Sequence, residues 1–127
     1  MSKPRHFLVR DKGHAEIIDE LKKHGVEVVD CSKVGGIPDL LVKWRDQVSF
    51  IEIKVPGSKA KWYFDQLRFI ADTRFSVGIA KSPSEAILAL QERLFLTSKQ
   101  KDSIAGMLLV SPKKYYTPRE VETALGK

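Results

Sequence analysis

The sequence predicts an α/β protein in which helices flank a mixed central sheet, with a short C-terminal extension. An apolar stripe at helical spacing occupies residues 14–24 and ends at Gly25. Three β-rich runs follow, at residues 26–29, 39–44 and 48–55. A second helical pattern at 61–72 then separates the third run from a fourth at 75–80. This strand–helix–strand crossover implies that two strands are parallel, and hence that the sheet is mixed.

Turn and capping residues set the remaining boundaries. The short polar joint at residues 45–47 predicts a hairpin between the second and third runs. Ser82, Pro83 and Glu85 form a capping-box pattern, which predicts a helix that starts there and runs through Leu94. The predicted order is therefore helix, three strands, helix, strand, helix.

The last thirty or so residues differ in character. Residues 97–103 are polar and predict a loop, and residues 107–110 are apolar enough for a strand. Residues 117–120 predict the cap of a short final helix. We therefore divide the chain into a core at 1–95 and a C-terminal extension of the same domain at 96–127.

Composition indicates a soluble protein with a polyanionic partner. The 127 residues carry a formal net charge of +6, and no apolar run is long enough to cross a membrane. The single cysteine, Cys31, cannot form an internal disulfide, which suits a reducing compartment. We therefore expect a cytoplasmic protein without membrane contact.

Two carboxylates and a lysine form the most informative pattern. Side chains alternate faces along a strand, so Glu52 and Lys54 share one face of the third run. The predicted hairpin returns Asp39 to the side of Glu52. Charged groups on a half-buried strand need partners, because unpaired buried charge is costly. Pro38 fixes the backbone before Asp39 and, with Gly35 and Gly36, lets a ligand approach closely.

This pattern predicts a site for a hard divalent cation. Two carboxylates and a backbone carbonyl offer the oxygen ligands that suit Mg²⁺ or Mn²⁺. A cation there would polarise a scissile phosphate and lower the pKa of water. Lys54 would orient the water or offset the charge of the transition state. The alternative is an ordinary Glu–Lys pair on a strand surface.

The segments GIPDLLV at 36–42 and IEIK at 51–54 resemble the signature of PD-(D/E)xK nucleases. Within that superfamily the chain is most similar to small phage-type VRR-NUC and Holliday-junction-resolvase-like proteins, over about residues 10–94. The resemblance implies a restriction-endonuclease-like core, of order αβββαβα, and a Mg²⁺-dependent endodeoxyribonuclease. It implies metal ligation by Asp39, Glu52 and the Ile53 carbonyl.

The resemblance implies two further site residues. A glutamine is expected on the helix after the lysine strand, and Gln66 fits because it lies on the sheet-facing stripe. A glutamate on the first helix is expected to help hold the metal, and Glu16 matches by resemblance. Helical phase instead turns Glu16 away from the apolar stripe and places His14 on the stripe side. We rank Glu16 first and His14 second.

The expected partner is DNA. Lys33, Lys59 and Lys61 flank the acidic pair and predict phosphate contacts. The family suggests branched DNA, with Holliday junctions as the leading candidate, in recombination, repair or phage DNA processing. The two-fold symmetry of such junctions favours a homodimer. The rival interpretation is a non-catalytic nucleic-acid-binding module on the same scaffold, which the basic charge would serve equally well.

Overall fold

The computed structural model describes residues 12–55 and 61–127. The helices are α1 (Lys12–Lys23), α2 (Phe64–Asp72), α3 (Pro83–Gln91), α4 (Ser98–Val110) and α5 (Pro118–Ala124). The strands are β1 (Glu27–Asp30), β2 (Leu40–Trp44), β3 (Gln47–Ile53), β4 (Trp62–Tyr63), β5 (Ser76–Ala80) and β6 (Tyr115–Tyr116). The predicted α/β class and the order of the core elements are confirmed, with β4 as a short addition before α2.

The central sheet is mixed, as predicted. Its strand order is β1-β2-β3-β5 in the described part of the chain. β2 pairs antiparallel with both β1 and β3, and β3 pairs parallel with β5. Trp44 faces Gln47, so the hairpin turn is formed by Arg45 and Asp46, and Arg45 takes a left-handed backbone conformation with φ of 57°. A second, two-stranded sheet joins β4 to β6.

Each face of the central sheet packs against its own apolar cluster. The cluster under α1 and α3, called here the α1/α3 cluster, contains Ile51 and Ile53 from β3. The cluster under α2, α4 and α5, called the α2/α4/α5 cluster, contains Phe50 from the same strand. This division follows from the two-residue period of a strand. It leaves β3 covered on both sides, with Ser49 to Ile53 all buried.

The C-terminal extension is more helical than the sequence predicts. Residues 97–103 do not form a loop, because Thr97 and Gln100 form a capping box that starts α4. Residues 107–110 do not form a strand, since they are the last turn of α4. Ile104 and Leu108 are buried four residues apart, whereas Leu109 is exposed. The apolar run was therefore the end of a helix with one buried face.

Two helix boundaries also differ from the prediction. Residues 62 and 63 belong to β4, so the second core helix begins at Phe64. The helix at Pro83 ends at Gln91 and does not reach Leu94. The predicted caps at Ser82 and Thr117 are present, because each hydroxyl accepts a hydrogen bond from the backbone three residues on.

The extension packs onto the core. Ile104, Leu108 and Val121 join Leu67 and Ile70 of α2 in the α2/α4/α5 cluster.

Among residues 12–55 and 61–127, no helix has both the length and the apolar character needed to span a membrane.

Candidate active site

The hairpin brings Asp39 and Glu52 together. Leu40 pairs with Ile51, so Asp39 lies opposite Glu52 at the open end of the β2–β3 ladder. The backbone N–H of Asp39 donates to Glu52 Oε1 at 3.2 Å, and the N–H of Ile53 donates to Asp39 Oδ2 at 2.9 Å. These reciprocal bonds fix the two carboxylates side by side, in the juxtaposition that the hairpin predicts.

Glu52 is a buried carboxyl whose pKa is raised. Its side chain is 1% exposed. Burial, and secondly the negative charge of Asp39, raise the pKa of Glu52 to about 8, against its ordinary value of 4.5. The nearby Lys54 ammonium lowers the pKa of Glu52 but does not outweigh these effects. With these protein groups alone around it, Glu52 therefore keeps its proton near neutral pH.

The side chain of Lys54 lies on the same side of the sheet as that of Glu52, as strand alternation predicts. Its Nζ lies 3.1 Å from Glu52 Oε2 and donates to the Lys61 carbonyl at 3.0 Å. The ammonium also sits 4.2 Å from the ring centroid of Trp62. The lysine side chain is 14% exposed, so its charge is largely shielded from solvent. Three contacts thus hold one compact positive charge beside the carboxylates.

Gln66 completes the polar group. The phase of α2 turns it toward the sheet, and its Nε2 donates to Glu52 Oε2 at 2.7 Å. Its Oε1 is buried and has no hydrogen-bond partner among the described residues. A buried carbonyl oxygen in that position can accept a bond from an incoming water or ligand.

The loop before Asp39 forms one wall of the cleft beside the carboxylates. Gly36 has φ of +81°, a left-handed conformation that favours glycine. A Cβ at Gly36 would lie 3.6 Å from Asp65 Cβ on α2, so the loop and the helix approach closely. The Asp39 carbonyl accepts a hydrogen bond from the Cys31 N–H at 2.7 Å, which anchors the far end of the loop.

These elements line one cleft of about 590 Å³. Its walls include the four polar residues already described together with the basic residues Lys33 and Lys61, both exposed. The predicted phosphate contact Lys59 and the loop at 56–58 lie outside the described residues.

The first helix contributes His14 to the cleft and not Glu16. His14 is 8% exposed and lines the cleft, whereas Glu16 is exposed and does not line it. A Cβ at Gly13 would lie 2.8 Å from Val55 Cγ2, so a side chain there would displace Val55, two residues after β3. Helical phase was the better guide to placement here.

The donor set suits a cation only in part. Within residues 12–55 and 61–127, no group of three or more His, Cys, Asp or Glu side chains is arranged to hold a metal. The Asp39 and Glu52 carboxylates are nevertheless adjacent hard oxygen donors, the type that Mg²⁺ and Mn²⁺ prefer. A cation held there would depend on substrate and water for its remaining ligands.

Three residues of the site were missed in the sequence. Asp65 lies in the cleft wall one residue before Gln66, and Tyr63 lies two residues before Asp65. Trp62 is the third, and the Lys54 ammonium lies over its ring. The aromatic pair at 62–63 directly before the Gln66 helix was the available signal, but the helical interpretation of residues 61–72 obscured its strand alternation.

Comparisons with known proteins found no match for this chain, whether to a protein-family model, to a curated protein or to a solved structure.

Proposed function

We propose that this protein is a metal-dependent endonuclease that hydrolyses DNA phosphodiester bonds, with a restriction-endonuclease-like core of the PD-(D/E)xK type. The observation that supports this most is the fully buried Glu52, held against Asp39 and Lys54 at the floor of a cleft. The order α1, β1–β3, α2, β5, α3 and the residue types at positions 39, 52 and 54 agree with that superfamily.

A carboxyl buried against a second carboxylate is a poor choice for stability alone. Apolar groups of similar size fill such positions without a desolvation cost. The pKa of Glu52 is raised to about 8 mainly because burial disfavours the charged carboxylate, and this is the same desolvation cost. Perturbed carboxyls of this kind in clefts are typical of functional sites.

The proposed cation would be held by Asp39 and Glu52, with Mg²⁺ or Mn²⁺ as the suitable ions. When bound, it would supply Lewis-acid polarisation of the scissile phosphate and a lower pKa for the attacking water. Whether the Ile53 carbonyl and Glu16 take part remains a prediction of the resemblance.

Lys54 and Gln66 act on the reacting groups in this proposal. The Lys54 ammonium offsets the negative charge that grows on the phosphate oxygens in the transition state. Its bonds to Glu52 and to the Lys61 carbonyl keep it in position before substrate arrives. The free Oε1 of Gln66 accepts a hydrogen bond from the attacking water and so orients it.

The substrate in this proposal is DNA with a branched structure, Holliday junctions included, and the working form is a homodimer in the cytoplasm. The formal net charge of +6 supports a polyanionic partner. Lys33 and Lys61 at the cleft rim supply phosphate contacts.

Cleavage assays test the proposal. Linear, flapped and four-way DNA are incubated with Mg²⁺, Mn²⁺ or EDTA and with wild type, Asp39→Asn, Glu52→Gln or Lys54→Ala. We expect cleavage by wild type with either cation, and none in EDTA or with these three variants. Lys54→Arg should show little cleavage activity, because the planar guanidinium of arginine does not reproduce the compact ammonium of lysine.

Glu27→Gln is the matched control, because Glu27 is an exposed glutamate on β1 of the same sheet. This variant should cleave like wild type. Full activity in Asp39→Asn, in Glu52→Gln or in EDTA would refute the proposed site.

A second candidate is a nucleic-acid-binding module without catalysis. The observation in its favour is that both carboxylates are already hydrogen-bonded within the protein. DNA binding without cleavage under every cation condition would support this candidate.

A further inference from the structure

A pair of exposed tyrosines lies beside the cleft on the small β4–β6 sheet. Tyr63 is 53% exposed and Tyr115 is 46% exposed. The two residues face each other across the antiparallel pair, with ring centroids 6.3 Å apart in an edge-to-face arrangement. Tyr63 also lines the cleft that holds Glu52 and Lys54. Large aromatic side chains so exposed are candidates for an interaction surface.

The neighbours of the pair anchor the two strands that carry it. Trp62 and Tyr116, which alternate with the exposed rings along the same strands, are 4% and 1% exposed and belong to the α2/α4/α5 cluster. The Tyr116 hydroxyl donates to the Ser111 carbonyl at 2.8 Å, and the Phe64 N–H donates to the Lys114 carbonyl at 3.0 Å. The outer rings therefore project from a backbone that is anchored on both strands, which lowers the cost of ordering it on binding.

Positive charge surrounds the rings. The Lys61 ammonium lies 4.2 Å from the ring centroid of Tyr115, and Lys114 is exposed next to it in the sequence. The backbone carbonyl of Lys61, the residue just before β4, accepts a hydrogen bond from the proposed catalytic lysine Lys54. Exposed tyrosine side chains combined with ammonium groups suit a phosphodiester chain whose bases are free to stack.

We propose that Tyr63 and Tyr115 form a stacking platform for unpaired nucleotides of a nucleic-acid strand that enters the cleft. Bases in a duplex are already stacked on their neighbours, so only unpaired nucleotides can use the platform. This inference deepens the proposed nuclease function and rests on it for the choice of nucleic acid as partner. Among branched substrates it predicts a preference for those with single-stranded segments, such as flaps and gaps, over fully paired four-way junctions.

Binding in EDTA tests the platform without any cleavage. A fluorescent twelve-nucleotide oligo-dT, its oligo-U counterpart and a blunt hairpin duplex are titrated with wild type, Tyr63→Leu, Tyr115→Leu and Tyr63→Phe. Each Tyr→Leu change should weaken oligo-dT binding about tenfold, the loss expected for one stacked base. Tyr63→Phe keeps the ring and should bind like wild type. Hairpin binding should change by less than about twofold in every variant, because phosphate contacts carry it.

Phe75→Leu is the matched control, because Phe75 is 49% exposed, makes an edge-to-face contact with Phe50 and does not line the cleft. It should bind oligo-dT like wild type. If the Tyr→Leu variants lose oligo-U and oligo-dT binding equally, the platform accepts both RNA and DNA. If they lose binding to only one of the two oligonucleotides, the platform is specific for that nucleic acid. Circular dichroism of Tyr63→Leu and Tyr115→Leu verifies that both variants fold.

Unchanged oligonucleotide binding in Tyr63→Leu and Tyr115→Leu would overturn the platform, as would equal losses on the hairpin. The nuclease proposal would survive either result if wild type cleaves DNA with Mg²⁺. Conversely, ring-dependent binding without cleavage would refute the nuclease proposal and leave the platform standing.

Discussion

The two faces of β3 are equally buried but differ in chemistry. Toward the α1/α3 cluster the strand presents Ile51 and Ile53, at 0% and 7% exposed. The opposite face carries Phe50 in the α2/α4/α5 cluster and then Glu52, 1% exposed and surrounded by polar groups. On the first face burial stabilises the fold through apolar area removed from water. At Glu52 burial opposes the charged form, so that position is explained better by chemistry than by stability.

The largest expected effect is the difference in unfolding free energy between a variant at Ile51 and a variant at Glu52. Ile51→Ala leaves a cavity in a fully buried site and should lower the free energy of unfolding by about 2–5 kcal/mol. Glu52→Gln keeps the size of the side chain, and at pH 5 the folded Glu52 carboxyl that it replaces is also uncharged. It should change stability by less than about 1.5 kcal/mol at pH 5. Urea unfolding at pH 5 measures both variants, and a larger loss for Glu52→Gln than for Ile51→Ala would contradict the comparison.

The second test is the dependence of stability on pH without divalent cations. The folded carboxyl of Glu52 keeps its proton up to about pH 8, whereas the unfolded one loses it near 4.5. The folded state therefore binds more protons between these values. The stabilisation from this group is complete below about pH 4.5 and is lost as pH rises toward 8.

Unfolding free energies measured in EDTA at several pH values between 5 and 8.5 check this slope. Glu52→Gln should remove it, while Glu27→Gln should retain it. Parallel curves for wild type and Glu52→Gln would show that Glu52 is ionised in the folded protein throughout.

Divalent cations should reverse that trend. A cation requires ionised carboxylates, so Mn²⁺ should raise the melting temperature more at pH 8.5 than at pH 6.5. At a hundred times its dissociation constant, a ligand of the folded state stabilises by about 2.7 kcal/mol. Asp39→Asn should lose most of the effect, and thermal melts with and without Mn²⁺ measure it. An equal rise in wild type and Asp39→Asn would place the cation elsewhere.

The smallest expected effect concerns the cleft rim. Lys33 is exposed beside the carboxylates, and Lys33→Ala should reduce the slope of log affinity against log salt by about 0.9 on duplex DNA. Lys99→Ala is the control, because Lys99 is exposed on α4 and does not line the cleft. Binding over a salt series gives both slopes. Equal slopes for wild type and Lys33→Ala would show that the DNA path avoids this rim.

Local patterns in the sequence were enough to predict the class, the order of core elements and the pairing of Asp39 with Glu52. The register of a short hairpin follows from the turn and from the alternation of apolar residues, both of which are local. The shared direction of Glu52 and Lys54 follows from the same alternation. The extension was predicted poorly, because the burial of Ile104 and Leu108 depends on contacts with α2.

The sequence by itself determined which residues share a strand or helix face, because the periods of two and 3.6 residues are properties of the backbone. Only the tertiary structure decided which faces meet. It brought Gln66 to Glu52, placed His14 in the cleft in preference to Glu16, and joined β4 to β6 so that Tyr63 meets Tyr115. It also set the pKa of Glu52, since burial depends on helices and strands distant in the chain. Such contacts arise from packing between elements, which no local pattern encodes.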